Sequence, residues 1–207
     1  MRCVLVAARE RGSLMIDTTI WGEPVAPFYS PNVTAQIASE RWHLDGYYEV
    51  RRAIFAEEQG LFDASDVDEH DKVATPIVAL GHVAGMPDEV IGGVRIYPTD
   101  RGTWFGGRLG VCRRYRSRGV VGTALIFAAV STAHARGCTT FLATIQLQNV
   151  AYFERHRFAC VQPIDVCGKP HQLMEADLAA YPPIIAHSLH PVDGARVAAE
   201  LRRLKAA

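Results

Sequence analysis

From Gly119 to Ala135 the chain runs for 17 residues without an Asp, Glu, Lys or Arg, and it enters that run directly from four arginines between positions 113 and 118. A membrane span needs about 20 predominantly apolar residues. This run is shorter and carries Gly, Ser, two Thr and His134, so it reads as a helix packed inside a fold, closed by Gly137. The segments around it read as strands. Thr75 to Ala84 is continuously apolar, Met86 to Glu89 reads as a turn, Val90 to Tyr97 alternates, Thr103 to Cys112 follows, and Cys138 to Gln146 alternates again through Phe141, Ala143 and Ile145. Residues 33–39 read as a first strand, and 159–167 and 171–178 as two closing strands. Two further helices are predicted. One covers Gly46 to Gln59 behind an Asp45 N-cap and is stopped by Gly60; a short one covers Asn149 to His156. Hairpin-linked strands followed by strand–helix–strand alternation indicate an α/β (α+β layered) domain: a mixed, mainly antiparallel central sheet with helices on both faces.

A chain of 207 residues holds one such domain with extensions. Residues 1–33 read as an N-terminal arm spaced by Pro24, Pro27 and Pro31; 34–180 read as the domain. Pro182 and Pro183 then open a linker, and Asp193 caps a C-terminal helix, together 181–207. Twenty-two basic residues balance 22 acidic ones, which argues against a nucleic-acid or anionic-membrane partner. Cysteines 3, 112, 138, 160 and 167 form no C-x-x-C pair and read as reduced thiols in the cytoplasm. The apolar stretch Cys3 to Ala8 is too short for a signal-peptide core. His70, His82, His134, His156 and His171 show no metal-ligand spacing, so no metal is expected.

The zero net charge is a sum of separated blocks. Residues 57–71 hold seven carboxylates and no cation; 101–118 hold six arginines. Arg116-Ser-Arg-Gly-Val-Val-Gly122 follows a predicted strand and opens the apolar helix, where unpaired backbone N–H groups and the helix dipole favour phosphate. The acidic block reads either as a solvated loop or as a rim that attracts a protonated amine and removes its proton through Glu58, Asp68 or Asp71. Cys112 reads as a small buried hydrophobe.

Leu109-Gly-Val-Cys-Arg-Arg-Tyr-Arg116-Ser-Arg-Gly119-Val-Val-Gly122-Thr123 resembles the signature of the GNAT superfamily of N-acetyltransferases, a strand ending in L-x-V followed by (Q/R)-x-x-G-x-(G/A) and a helix. Val121 stands where the pattern has a small residue. The resemblance implies acetyl-CoA, or another acyl-CoA, as co-substrate. Arg116, Arg118, Gly119, Val120, Val121, Gly122 and Thr123 would hold its pyrophosphate, and Leu109 and Val111 would offer backbone groups to the pantetheine arm and acyl carbonyl. Asn149-Val-Ala-Tyr152-Phe-Glu-Arg-His-Arg-Phe158 looks like a second block of the superfamily. It implies that Asn149 touches pantetheine and that Tyr152, one residue before the usual tyrosine position at Phe153, is the candidate acid for the departing thiolate.

Arg51-Arg-Ala-Ile-Phe55-Ala-Glu-Glu58-Gln, Asp68-Glu-His-Asp71 and Gly92-Gly-Val-Arg95-Ile-Tyr-Pro-Thr99 resemble a pattern shared by small bacterial acetyltransferases and, more loosely, by acyl-homoserine-lactone synthases. The pattern is also similar to the acetyltransferase component of nitrogen-starvation and nitrilase-linked gene clusters. It implies that Arg51, Phe55, Asp68, Asp71 and Arg95 surround the acceptor pocket. The alternative for Arg51, Asp68, Asp71 and Arg95 is an ion-pair network tying the first helix to the sheet. The resulting expectation is an N-acyltransferase moving an acetyl or short acyl group to the amine of a small molecule or peptide, with homodimerisation left open. The competing readings are lactone-synthase-like chemistry and a non-catalytic acyl-CoA-binding module.

Overall fold

A computed structural model describes residues 32–166 and 168–187, with Arg118 described through its backbone alone. The helix expected after Asp193 and nearly all of the expected N-terminal arm lie outside the described residues. The strands are β1 (Val33–Ile37), β2 (Thr75–Val83), β3 (Met86–Asp100), β4 (Thr103–Val111), β5 (Thr140–Gln146), β6 (Phe158–Val166) and β7 (Lys169–Ala176). They form one sheet in the order β1-β2-β3-β4-β5-β7-β6. Every neighbouring pair is antiparallel except β4 and β5, so the sheet is mixed and mainly antiparallel, as expected.

Among the described residues three α-helices accompany it: α1 (Arg41–Arg51), α2 (Val120–Ala135) and α3 (Val150–Arg155). The first begins a turn earlier than Asp45. Its cap is Glu40, whose side chain and backbone exchange hydrogen bonds with His43. The buried stripe His43, Tyr47, Val50, Arg51 starts there, and the stripe, not the nearest Asp, sets the start. After Arg51 the helix widens into a π-helical turn over Arg52–Glu58. The β2–β3 turn is Ala84-Gly85, both at positive φ, and the expected turn residues Met86 to Glu89 are already strand. A two-residue hairpin with both φ values positive follows the strand twist, and Gly85 allows it.

The helices lie on opposite faces. Tyr47 of α1 packs with Val78 and Leu80, whereas Ile77 and Ala79 join the cluster built on α2; adjacent strand residues point to opposite sides. Each large side chain removed from water in that cluster, such as Leu125 and Val130, contributes on the order of 1.5–3 kcal/mol. The far side of α2 is covered by residues 178–187. Tyr181 donates through its hydroxyl to the His156 carbonyl, and His134 Nδ1 lies 2.6 Å from the Tyr181 carbonyl. Ala186 N–H donates to Thr132 Oγ1 at 3.2 Å, and the Ala186 carbonyl accepts from Ile37 N–H at 2.9 Å. Covered on both sides, α2 has no solvated stripe, which is why its sequence carries no charge. The segment expected to be a linker after 180 is thus packed at least to Ala186, which is buried. Among the described residues no helix is long and apolar enough to cross a membrane.

The α1 side depends on a close approach at Gly93, where a Cβ would come within 2.6 Å of the Tyr47 ring. Gly93→Ala is expected to destabilise the chain by about 1–3 kcal/mol through displacement of that ring. Urea unfolding measures it, and an unchanged midpoint would contradict the packing.

Candidate active site

Strands β4 and β5 are paired only from Thr103–Thr140 to Gly106–Ala143. Beyond that point β4 continues along β3 to Val111, and β5 continues along β7 to Gln146. The two strands part, and a cavity of about 1020 Å³ opens between them. A bulge in β4 accompanies the parting. Between Gly93 and Arg95 the partner on β4 moves from Gly110 to Gly107, leaving Arg108 and Leu109 opposite Val94 alone. Arg108 takes a φ of 54°; such a bulge bends its strand and re-aims the side chains on it. Leu109, Gly110 and Val111 line the cavity along the β4 edge that β5 has left.

At one end of the cavity lies the start of α2. A 3₁₀ segment over Arg113–Arg118 stops at Gly119, whose φ of 65° a side chain would strain. The first i→i−4 bond of α2 is that of Thr123 N–H to the Gly119 carbonyl, 3.1 Å. The N–H groups of Val120, Val121 and Gly122 precede it, and no side chain caps them. They form the positive end of a 16-residue helix beside an open cavity, which suits a phosphate group. Gly119 and Gly122 line the cavity, as does Arg116. The Val121 side chain is turned into the core, so its bulk does not obstruct the backbone. Thr123 Oγ1 is 3.0 Å from the Gly119 carbonyl and 2.9 Å from His156 Nε2.

Arg116 closes this end of the cavity. Its Nε donates to the Val111 carbonyl at 2.7 Å, and its two Nη atoms donate to Glu58 at 2.5 and 2.8 Å. The bidentate grip holds the Glu58 carboxyl below its ordinary pKa, the wrong direction for a group that must take a proton near neutral pH. Glu58 therefore lies on the cavity wall as an ion-pair partner and not as a poised base. Asn149, the cap residue of α3, and Tyr152 within it line the cavity. The Tyr152 hydroxyl is 3.4 Å from the Gly119 carbonyl, and burial raises its pKa, so it stays protonated and can donate. Phe153 packs edge-on against Phe158, ring centres 5.2 Å apart.

The acidic block divides: Glu57, Asp63 and Glu69 are exposed, whereas three other carboxylates are drawn into an ion-pair network. Asp66, Asp68 and Asp71 alternate with Arg51, Arg95 and Arg108 in a closed ring of six salt bridges. Arg51 meets Asp66 at 2.8 Å and Asp71 at 2.6 Å. Arg95 meets Asp71 at 2.8 Å and Asp68 at 2.6 Å. Arg108 meets Asp68 at 3.2 Å and Asp66 at 3.0 Å. The ring joins the end of α1, the loop after it, β3 and β4. Of its members Arg108 alone lines this cavity; Arg51, Asp68, Asp71 and Arg95, expected around the acceptor pocket, do not line it, whereas Phe55 does. Asp71, whose two oxygens take Arg51, is pushed well below the carboxylate range by its hydrogen bonds to Arg51, the Asp68 backbone and Arg95, against the opposing effect of burial. Asp68 is likewise lowered, by Arg95 first. A carboxylate held that way stays ionised near neutral pH and orders the segments its arginines join. Arg108 and Asp66 were the ring members not singled out from sequence. Each lies in one of the two charge blocks, and their pairing was hidden because the two residues are 42 positions apart. Among the described residues no group of His, Cys, Asp and Glu could hold a metal ion.

The ring has a pH signature. Carboxylates whose folded pKa is depressed contribute stability above their unfolded pKa, near 4, and lose it as pH falls through the folded value. The thermal midpoint is expected to be nearly flat from about pH 8 to pH 5 and to fall below about pH 4. Asp71→Asn leaves two buried cations short of a partner, and is expected to cost about 3–5 kcal/mol near neutral pH and to flatten the acid limb. Calorimetry across this range checks both; an unchanged acid limb in Asp71→Asn would contradict the ring's part in it.

Comparison with known proteins follows the same lines. Residues 39–158 match the model of the acetyltransferase (GNAT) family, 120 of the 207 positions. No curated protein matches the chain at a significant level. Among solved structures, a Lactobacillus plantarum protein described as an N-acetyltransferase shares 24% identity over 70% of this chain and 97% of its own, with a TM-score of 0.62. An acyl-CoA N-acyltransferase from Pseudomonas aeruginosa shares 20% identity over 70% of this chain and 97% of its own, at 0.56. BjaI, a CoA-dependent acyl-homoserine lactone synthase solved with SAM and isopentyl-CoA, shares 20% identity over 79% of this chain and 96% of its own, also at 0.56. At these identities the structures establish a common fold. With the family model spanning more than half of the sequence, the chain belongs to the GNAT acetyltransferase family.

Proposed function

We propose that this chain is an N-acyltransferase that passes an acetyl or short acyl group from acyl-CoA directly to the amine of a small molecule or peptide, both bound at once. The observation that carries the reading is the parting of β4 and β5 with an uncapped helix N-terminus at one end. The cavity offers unpaired strand edges to an amide-bearing arm and N–H donors to a pyrophosphate. In this reading Gly119 to Gly122 hold the pyrophosphate with Arg116. Asn149 and the β4 edge hold pantetheine, and the N–H groups near Leu109 and Val111 polarise the thioester carbonyl. The amine attacks that carbonyl, the C–S bond breaks, and the proton given up by the amine reaches the departing thiolate through solvent, while the Tyr152 hydroxyl, held against Gly119 and Gly122, stands at the pyrophosphate end. Most of the rate comes from holding donor and acceptor in register and from fixed dipoles at the carbonyl. Phe55 forms the acceptor wall, and Arg51, Asp68, Asp71 and Arg95 position it. An acyl-CoA donor and the unpaired Cys112, Cys138 and Cys160 fit a cytoplasmic setting.

Two measurements test this. Gly119→Asp sets a carboxylate where the pyrophosphate would lie, in open space but at a positive φ whose strain Asn would share. It is expected to weaken acetyl-CoA binding on the order of 100-fold by calorimetry, whereas Gly119→Asn retains most of the affinity; equal loss in both would contradict the charge argument. In a thiol-release assay over a broad amine panel, turnover is expected with amines in the absence of S-adenosylmethionine, and Tyr152→Phe is expected to change acetyl-CoA affinity more than kcat. Release only with S-adenosylmethionine would overturn the proposed reaction, and a lowered kcat with acetyl-CoA affinity unchanged would contradict the place given to Tyr152.

A further inference from the structure

Arg108 is the point at which the buried ring reaches the cavity, and its donors are unequally used. Its Nε lies 3.0 Å from Asp66 Oδ2 and 3.3 Å from the Asp66 carbonyl; its Nη2 meets that carbonyl at 3.1 Å and Asp68 Oδ2 at 3.2 Å. Nη1, with two N–H groups, makes no hydrogen bond and is not among the fully buried unsatisfied atoms. The aspartates therefore fix one edge of the guanidinium and leave the other accessible. The cation stands 4.7 Å from the Phe62 ring centre and 6.0 Å from that of Phe55, two apolar walls of the same cavity. Burial first, and then the neighbouring Arg95, push its pKa below the ordinary guanidinium value, against the pull of Asp66 and Asp68. Its backbone is held in the left-handed region by the β4 bulge, one residue before the strand edge assigned above to the acyl carbonyl.

We infer that Arg108 Nη1 binds a carboxylate of the acceptor, so that the acyl-accepting amine belongs to a small amino acid-like molecule with an apolar side chain. The inference rests on the acyl-CoA reading above and names its second substrate. A guanidinium locked by two aspartates loses little rotamer freedom on binding, and a carboxylate matches its remaining N–H donors. Phe55, Phe62 and Leu61 receive the apolar part. The amine then stands near Leu109, since the carboxylate and amine of an α-amino acid are two bonds apart.

The test uses matched amines that differ only by the carboxylate: phenylalanine against phenethylamine, tyrosine against tyramine, and leucine against isoamylamine. Each is offered to the full chain with acetyl-CoA and, in parallel, hexanoyl-CoA, and thiol release is followed. A charged hydrogen bond from Arg108 predicts kcat/KM on the order of 10–100-fold higher for the carboxylate-bearing member of at least one pair. In Arg108→Gln that ratio is expected to fall towards one while the acetyl-CoA thermal shift remains. The wild-type comparison stands by itself if the variant does not fold. A preference for the decarboxylated amine, equal turnover within every pair, or acetyl-CoA binding without turnover of any pair would overturn the inference. Absence of acyl-CoA binding by the wild-type chain would overturn the reading beneath it.

Discussion

The closed ring of Arg51, Asp66, Arg108, Asp68, Arg95 and Asp71 is the interaction on which the rest of the site depends. Burying six charges costs several kcal/mol per ion, and mutual pairing offsets this only when every partner is present. The ring is therefore weak as a source of stability and strong as a source of register. It links the last turn of α1, the loop that follows, β3 and the bulged β4 through directional contacts. The arrangement of Phe55 and Arg108 at the cavity wall cannot relax independently of those four segments.

The two sides of the sheet then divide the work. On the α2 side a helix with no polar stripe is enclosed between sheet and C-terminal segment, so its first turn is fixed with uncapped N–H groups at the cavity. On the α1 side the π-helical turn over Arg52–Glu58 carries Phe55 and Glu58 to the same cavity; an extra residue per turn is a common way to bring helix side chains to a site. Glu58 and Arg116 meet across it. The donor end and the acceptor end of the proposed reaction are thus built from opposite faces and meet only where β4 and β5 part.

Much of the fold was legible because its signals are local. The uncharged 119–135 run, the alternating strand at Phe141, Ala143 and Ile145, and the glycine stops required no tertiary knowledge. Errors arose where a tertiary contact outweighed a local signal. Asp45 is a good cap by type, but the buried stripe begins at His43. Met86-Pro87 reads as a turn, but the hairpin needs its positive φ values at Ala84 and Gly85. The helix bulge and the strand bulge left no mark in composition. For the site, the uncapped start of α2 behind a run of arginines could be read from residue types and spacing. The role of the acidic block could not, because a carboxylate's chemistry is decided by which cation reaches it. Asp68 and Asp71 look like bases in a row of acids, and become ring members once Arg51 and Arg95 are folded against them.

The central claim is that the space between β4 and β5 holds acyl-CoA with its phosphates at the start of α2. Backbone amide NMR during an acetyl-CoA titration reads this directly. The account predicts the largest shifts at Val120, Val121 and Gly122, with a second group at Leu109 to Val111 and Asn149. Shifts confined to other surfaces, or none at saturating acetyl-CoA, would contradict it.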